Sequence, residues 1–353
     1  MPDTVASPGE SGVSMAPFDH PKADIILRSS DGVDFRMFKL LLSLSSPFFD
    51  SMFELPQPCE DVLPLLDVTE PSTTLRPLLS LCFPLAANIT PITFKTLEEL
   101  QPVLEASVKY DMSAITTHLL THLISPTFLQ TQPLAVYAIA CRYKLTPQAR
   151  LAAKATLRQP PPGSPLCPFT NHLDNIPATS LFRLLEYRHR CTEIASSVPF
   201  GTKWMPLTYV WFNCSHCPPG KRLRSWAWEG DDDFECRYPR QWWEEFMEVA
   251  SGELGKRPCG ETVTGPPPSS SSSDGEAEGV DGSVGNGFTY LGARGSEVGN
   301  GSGMPVWVKR FVARAMECPT CRTNVQDDMR RFLKLFERQV DRAVGIVELK
   351  VDF

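Results

Sequence analysis

Short apolar runs and helical stripes alternate along the first 158 residues, and together they predict a small sheet covered by helices. The runs at 24–27 and 33–35 flank the turn sequence Ser-Ser-Asp-Gly, whose glycine supplies the positive φ that hairpin turns often need. They predict a β-hairpin, and the run at 62–68 predicts a third strand. Because three short strands cannot bury both faces by themselves, we expect helices to cover the sheet.

The helices are predicted from apolar residues that repeat on one helical face and from residues that cap helix starts. One such face, at the spacing i, i+3, i+4 and i+7, consists of Leu75, Leu78, Leu79 and Cys82. Ser46 precedes a proline and is a typical N-cap, and Thr96 with Glu99 forms a capping box. Further helices are predicted at 38–44, 114–124, 134–143 and 148–157.

Changes in composition divide the chain into segments. Residues 1–22 are rich in Pro, Ser, Gly and acidic residues, so we expect a disordered tail. The proline run within 159–165 cannot continue a helix and predicts a linker. Residues 265–303 hold a run of five serines and many of the glycines, a composition typical of a disordered insert.

The second half of the chain has an aromatic core of its own. All seven tryptophans follow Thr202, and large aromatic side chains usually form the core of the domain that contains them. Apolar residues at helical spacing in 332–340 predict a helix, and the alternation in 347–353 predicts a half-buried terminal strand. We therefore expect an aromatic-rich α+β domain that comprises 166–264 and 304–353.

Composition and charge narrow the classes of partner. Hydrophobic residues make up 42% of the chain, and the sequence contains no apolar run as long as the roughly 18 residues that a membrane-spanning helix needs. The net charge is −7 without a basic region, so we expect neither nucleic acid nor membrane as a partner. The first thirty residues lack the layout of a secretory signal, which predicts a cytoplasmic or nuclear protein whose cysteines are reduced thiols or metal ligands.

Several short motifs follow one another in the first domain. They are Asp24-Ile25-Ile26-Leu27, Asp31-Gly32, Lys39-Leu40-Leu41-Leu42, Ser45-Ser46-Pro47-Phe48-Phe49, Met52-Phe53, Asp67-Val68, Cys82-Phe83-Pro84 and Lys109-Tyr110-Asp111. In this order and spacing they resemble a BTB/POZ domain, which we place at 23–125, with trailing helices at 126–158. The segment from Tyr137 to Tyr143 is most similar to the BTB proteins of mushroom-forming fungi.

The resemblance implies the α/β BTB fold and a hub for protein contacts without catalytic chemistry. We accordingly predict no catalytic residue and expect a non-enzymatic adaptor or scaffold that binds other proteins, a second copy of itself included. Two alternatives are a BTB-type transcription regulator and a substrate adaptor of a cullin ubiquitin ligase. A transcription regulator needs a basic element that binds DNA, which the sequence lacks. Cullin-binding relatives carry a hydrophobic-x-Glu triplet where this chain has Gln57-Pro58-Cys59.

The resemblance also points to protein-binding residues at the start of the domain. In BTB repressors an aspartate and a basic residue form a charged pocket near the dimer interface, and the matching positions here are Asp24 and Lys39. Phe38 occupies a position that is usually histidine, which makes the local surface more apolar. The two charged residues either form such a pocket or are a solvent-exposed pair worth about 0 to 1 kcal/mol.

Two C-x2-C pairs in the second half are the candidate metal ligands. Cys214 and Cys217 form the first pair, and Cys318 and Cys321 form the second. Four thiolates at about 2.3 Å would complete a tetrahedral structural zinc site, whereas the alternative is four ordinary thiols. Structural zinc is thus a candidate, and the sequence establishes no cofactor. Further candidate ligands are His216, Cys236 and Cys259.

Overall fold

The computed structural model describes residues 16–55, 63–83, 92–164, 170–201, 204–220, 226–227, 236–237, 239–265 and 304–351. The chain divides into two compact units. The first unit comprises Met1–Thr156, Phe169–Leu181 and Val351–Phe353. The second unit comprises Leu157–Pro168 and Phe182–Lys350. None of the described helices has the length and apolar character needed to cross a bilayer.

A three-stranded sheet forms the centre of the first unit. Its strands are β1 (Ile25–Arg28), β2 (Asp34–Met37) and β3 (Leu65–Asp67), in the order β2-β1-β3. The β1 and β2 strands are antiparallel and are joined by a turn in which Gly32 has a φ of 80°, whereas β1 and β3 are parallel. This confirms the predicted hairpin and third strand.

Helices cover the sheet, as the sequence predicts. They are α1 (Lys39–Ser45), α2 (Pro47–Phe53), α3 (Ser72–Ser80), α4 (Leu97–Lys109), α5 (Ser113–Leu123), α6 (Pro126–Thr131), α7 (Pro133–Arg142) and α8 (Thr146–Thr156). A 3₁₀ helix (Asn171–Asn175) and the first residues of α9 (Ala178–Ser197) complete the unit. Both predicted caps are present, because Ser46 Oγ accepts a hydrogen bond from the backbone N–H of Phe49 and Thr96 Oγ1 accepts one from that of Glu99.

The fold begins before residue 23, so the predicted tail at 1–22 extends too far. Phe18 is fully buried, and its ring centroid lies 5.1 Å from that of Phe35 and 5.7 Å from that of Phe83. Its carbonyl accepts a hydrogen bond from the backbone N–H of Arg36. A single aromatic residue in a polar stretch has no periodicity, and composition alone therefore misses it. Residues 1–15 lie outside the described part of the chain.

The second unit is mostly helical. Beyond α9, its helices are α10 (Val210–Asn213), α11 (Gln241–Lys256), α12 (Glu261–Thr264), α13 (Val306–Met316), α14 (Pro319–Arg322) and α15 (Val325–Gly345). Its strands β4 (Trp226–Ala227) and β5 (Cys236–Arg237) form a short antiparallel pair. The predicted linker at 159–165 is described up to residue 164, where it forms neither helix nor strand. Of the predicted insert at 265–303, only residue 265 lies within the described part of the chain. The domain bounds 166–264 and 304–353 stay predictions.

Aromatic rings from three helices pack together in the second unit. The Trp211 ring lies parallel to that of Trp243 at 5.9 Å and meets that of Phe332 edge-on at 5.4 Å. Trp204 stacks on Phe336 at 5.4 Å. Edge-on and stacked pairs at these distances stabilise a core beyond the area that they bury.

The predicted terminal strand does not form in residues 347–351. Val347 and Leu349 are buried while Glu348 and Lys350 are exposed, so the alternation that suggested a strand is present. A strand also needs a partner for its backbone N–H and C=O groups, and no described strand pairs with this segment. The pattern therefore identified the buried side chains but not the secondary structure.

Candidate functional site

Asp24 and Lys39 are in contact, but through the backbone of Lys39. Asp24 Oδ1 accepts a 2.7 Å hydrogen bond from the backbone N–H of Lys39, the first residue of α1. The first N–H groups of a helix have no partner within the helix, and a carboxylate there also interacts favourably with the helix dipole. Lys39 Nζ instead lies 5.6 Å from the ring centroid of Phe53. The backbone hydrogen bond does not test the charged pocket, which stays a prediction for these two residues.

Phe38 precedes α1 and is half-buried. Its ring centroid lies 5.3 Å from that of His20. The phenyl ring therefore packs locally at the start of α1, and its role in protein binding stays a prediction together with those of Asp24 and Lys39.

Three apolar side chains on α1 and α2 are exposed, and we call them the apolar face. Leu40, Leu44 and Phe48 have 67%, 76% and 47% of their surface accessible. Leu40 and Leu44 are one helical turn apart and lie on the same side of α1, while Leu42 between them is fully buried. Leu40 and Phe48 belong to motifs of the family, but nothing in the sequence pattern indicated that these apolar side chains face solvent.

A polar cluster fixes the end of α4 against the start of α2. The hydroxyl of Tyr110 donates to one oxygen of the Glu70 carboxylate, and Lys109 Nζ donates to the other oxygen at 2.6 Å. The Tyr110 carbonyl accepts a 2.5 Å hydrogen bond from Ser46 Oγ, and its ring stacks on that of Phe49 at 5.1 Å. This network ties Lys109 and Tyr110, at the end of α4, to Glu70, and it holds the helix that carries Phe48.

The electrostatics of the cluster favour an ionised Glu70. Burial by itself raises the pKa of this carboxyl, but the hydrogen bonds from Lys109 and Tyr110 outweigh burial and lower it. Burial, together with the neighbouring Glu70 carboxylate, raises the pKa of the Tyr110 hydroxyl. The tyrosine thus remains a hydrogen-bond donor to an ionised carboxylate.

The order of elements, the capped helices and the Lys-Tyr network all lie in one segment of the chain. The profile of the BTB/POZ domain family matches residues 18–127. This segment is a BTB/POZ domain. The match begins at Phe18, in agreement with the burial of its ring. BTB/POZ domains are protein–protein interaction modules. A comparison of the whole chain with curated proteins found no match.

Some predictions within the BTB/POZ domain fall on residues that the structure does not describe. Gln57-Pro58-Cys59, the triplet that departs from the cullin-binding pattern, lies in the gap between residues 55 and 63. The structure therefore does not test the cullin alternative, which stays a prediction from the sequence.

Outside the BTB/POZ domain, the structure brings the four predicted cysteines together. The sulfurs of Cys214, Cys217, Cys318 and Cys321 all lie within 4.8 Å of one another. Cys214 and Cys321 are fully buried, and the other two are half-buried. The second unit therefore contains a compact group of four thiols.

The other candidate ligands have different partners. His216 Nδ1 lies 2.6 Å from Thr320 Oγ1, and Cys259 Sγ lies 3.4 Å from Thr262 Oγ1. The side chain of Cys236 lies outside the described part of the structure. Among the described residues, the four cysteines are thus the candidate ligands whose sulfur atoms lie close enough to share one metal ion.

Proposed function

We propose that this chain is a non-enzymatic adaptor or scaffold whose BTB/POZ domain binds another protein through the apolar face. The observation that supports this proposal is the exposure of Leu40, Leu44 and Phe48 within a domain of an interaction family. Leu40 and Leu44 are neighbours on one side of α1, and neighbouring exposed apolar side chains commonly mark a binding surface, whereas single ones do not. Burying such a side chain fully contributes about 1.5 to 3 kcal/mol.

The apolar face is held by a rigid support, which lowers the entropy cost of binding. Leu42 anchors α1 in the core, and Asp24 caps its first turn. Phe48 lies on α2, whose N-cap Ser46 is tied to Tyr110. Because these helices are already ordered, a partner mainly has to restrict side-chain rotamers.

The partner in this proposal is a protein with a complementary apolar surface, either a different protein or a second copy of this chain. The net charge of −7 favours neither nucleic acid nor an anionic membrane as a ligand. The proposal places the protein in the cytoplasm or the nucleus. The similarity of 137–143 to proteins of mushroom-forming fungi stays a prediction, as do the regulator and cullin alternatives.

Proximity labelling with the full chain in its native cells tests this function. The bait is compared with the double variant Leu40→Asp, Leu44→Asp, and we expect a reproducible set of labelled proteins that the variant loses. The most strongly labelled of these proteins is then purified and titrated with the bait. A loss of affinity of at least about tenfold in the variant corresponds to roughly 1.4 kcal/mol of binding free energy.

A matched control separates this surface from general stickiness. Val306 and Ile346 are also exposed apolar residues, with 84% and 76% of their surface accessible, but they lie in the second unit. The variant Val306→Asp, Ile346→Asp should retain the labelled set and the affinity. The apolar face is not the binding surface if the natural chain and both double variants bind the partner equally. The same conclusion follows if only the Val306→Asp, Ile346→Asp control loses binding.

A further inference from the structure

Two pairs of cysteines lie 104 residues apart in the sequence and meet in the second unit. The sulfur of Cys214 lies 3.6 Å from that of Cys318, and the sulfur of Cys217 lies 3.7 Å from that of Cys321. Each contact joins one C-x2-C pair to the other. The cluster is therefore not a consequence of local spacing but is assembled by the fold.

The sulfur–sulfur distances match the ligand set of one tetrahedral ion. With about 2.3 Å between zinc and each sulfur, the edges of the tetrahedron are about 3.8 Å long. The two measured contacts lie close to this length, and the longest separation in the cluster is within 4.8 Å. A disulfide requires about 2.05 Å between sulfurs, so neither contact is a disulfide.

The backbone around the cysteines also favours thiolate ligands. The backbone N–H of Cys217 donates a 3.4 Å hydrogen bond to the sulfur of Cys214. Hydrogen bonds to the charged form of a thiol stabilise the thiolate, which is the form that binds a metal.

The first cysteine of the cluster follows a helix of the aromatic core. Cys214 directly follows α10, whose Trp211 is fully buried against Trp243 and Phe332. The four thiols are buried or half-buried, and their sulfurs contact one another in pairs. A cation bound to all four sulfurs would neutralise part of their charge and satisfy them together.

We propose that Cys214, Cys217, Cys318 and Cys321 bind one structural zinc ion with four thiolates. Zinc displaces the thiol protons and joins α10 to α14, two elements that are distant in sequence. All four positions are taken by the chain, so the site is closed and has a structural rather than a catalytic role. This inference is independent of the proposed function of the BTB/POZ domain.

Elemental analysis of the full chain, purified under reducing conditions without chelator, tests the site. We expect about one zinc per chain in the natural protein and less than about 0.2 in the double variant Cys214→Ser, Cys321→Ser. Cys259→Ser is the matched control, because Cys259 is a buried cysteine of the same unit outside the cluster, and it should retain the full zinc content. Zinc below about 0.2 per chain in the natural protein would overturn the proposal.

A second measurement does not depend on the folding of any variant. The natural chain is stripped of zinc, and cobalt(II) is added as a spectroscopic probe. We expect a strong sulfur-to-cobalt charge-transfer band and the intense visible bands of a tetrahedral four-sulfur site, lost again when zinc is added. The weak spectrum of hexahydrated cobalt would contradict the proposal. So would disulfides Cys214–Cys318 and Cys217–Cys321 in the natural protein that has been freshly purified under the same reducing conditions.

Discussion

The hydroxyl of Tyr110 donates a hydrogen bond to the carboxylate of Glu70, 40 residues earlier in the sequence. Lys109 binds the same carboxylate, so the residues that end α4 hold the segment between β3 and α3. On its other side Tyr110 contacts α2, the helix of Phe48. The cluster therefore supports the part of the BTB/POZ domain in which the proposed binding surface lies.

Replacing Tyr110 with phenylalanine should destabilise the first unit. The variant keeps the ring stacking but leaves a half-buried carboxylate without one of its donors, and hydrogen bonds to charged groups contribute about 1.5 to 3 kcal/mol. We expect a loss of that size in the free energy of opening, measured by hydrogen exchange of the α4 amides. In a Glu70→Gln background the same substitution should cost clearly less. Equal costs in both backgrounds would show that the hydrogen bond does not contribute.

Glu70 should also make stability depend on pH in the acid range. Its pKa in the folded protein is lowered from an ordinary value of 4.5. A lowered pKa stabilises the folded state above the unfolded-state value, and this contribution disappears as pH falls through the folded-state pKa. The difference in unfolding free energy between the natural protein and Glu70→Gln should thus be constant near neutral pH and shrink below about pH 4.5. A difference that grows on acidification would contradict this assignment.

Phe18 should be essential to the BTB/POZ domain even though it lies in a polar stretch. Truncating a fully buried phenylalanine to alanine costs about 3 to 5 kcal/mol, because it removes apolar contacts and leaves a cavity. We expect Phe18→Ala to lower the thermal midpoint of the full chain strongly. The control Asp19→Ala, at the exposed neighbouring position, should change it little. Similar midpoints for both variants would mean that the Phe18 ring is not part of the core.

Asp328 should stabilise the second unit through one buried hydrogen bond. Its carboxylate accepts a 2.8 Å hydrogen bond from the backbone N–H of Val210, at the start of α10. The variant Asp328→Ala leaves this buried N–H without its partner, which costs about 1 to 3 kcal/mol. We expect an earlier loss of tryptophan fluorescence in urea, and no such change for the exposed neighbour Asp327→Ala. An unchanged midpoint in Asp328→Ala would exclude this role.

The sequence predicts local features well, because they depend on neighbouring residues. The hairpin, the N-caps at Ser46 and Thr96 and the buried stripe of Leu75, Leu78 and Leu79 are all confirmed. The Glu99 side chain does not complete the capping box, because it accepts a hydrogen bond from the backbone N–H of Lys95 and not from that of Thr96. The two C-x2-C pairs were likewise visible as motifs. Their spacing left a shared site and four separate thiols as alternatives, and their approach to within 4.8 Å depends on how α10 and α14 pack across a long separation.

Features that depend on a specific tertiary partner are not visible in the local sequence pattern. Asp24 binds the backbone of Lys39 rather than its ammonium group, because the unpaired N–H at the start of α1 lies within reach. The segment after Val347 alternates like a strand but has no described strand beside it. Asp328 carries no motif, and only the fold reveals its contact with Val210.

Hydrogen–deuterium exchange on the full chain, alone and in complex with its strongest partner from proximity labelling, tests the central claim most directly. The account predicts that binding protects the backbone amides of α1 and α2, the helices that carry Leu40, Leu44 and Phe48. The exchange of these amides would be compared with that of α13 and α15 in the second unit. Protection of the second unit with no change in α1 and α2 would contradict the claim that the BTB/POZ domain binds through its apolar face.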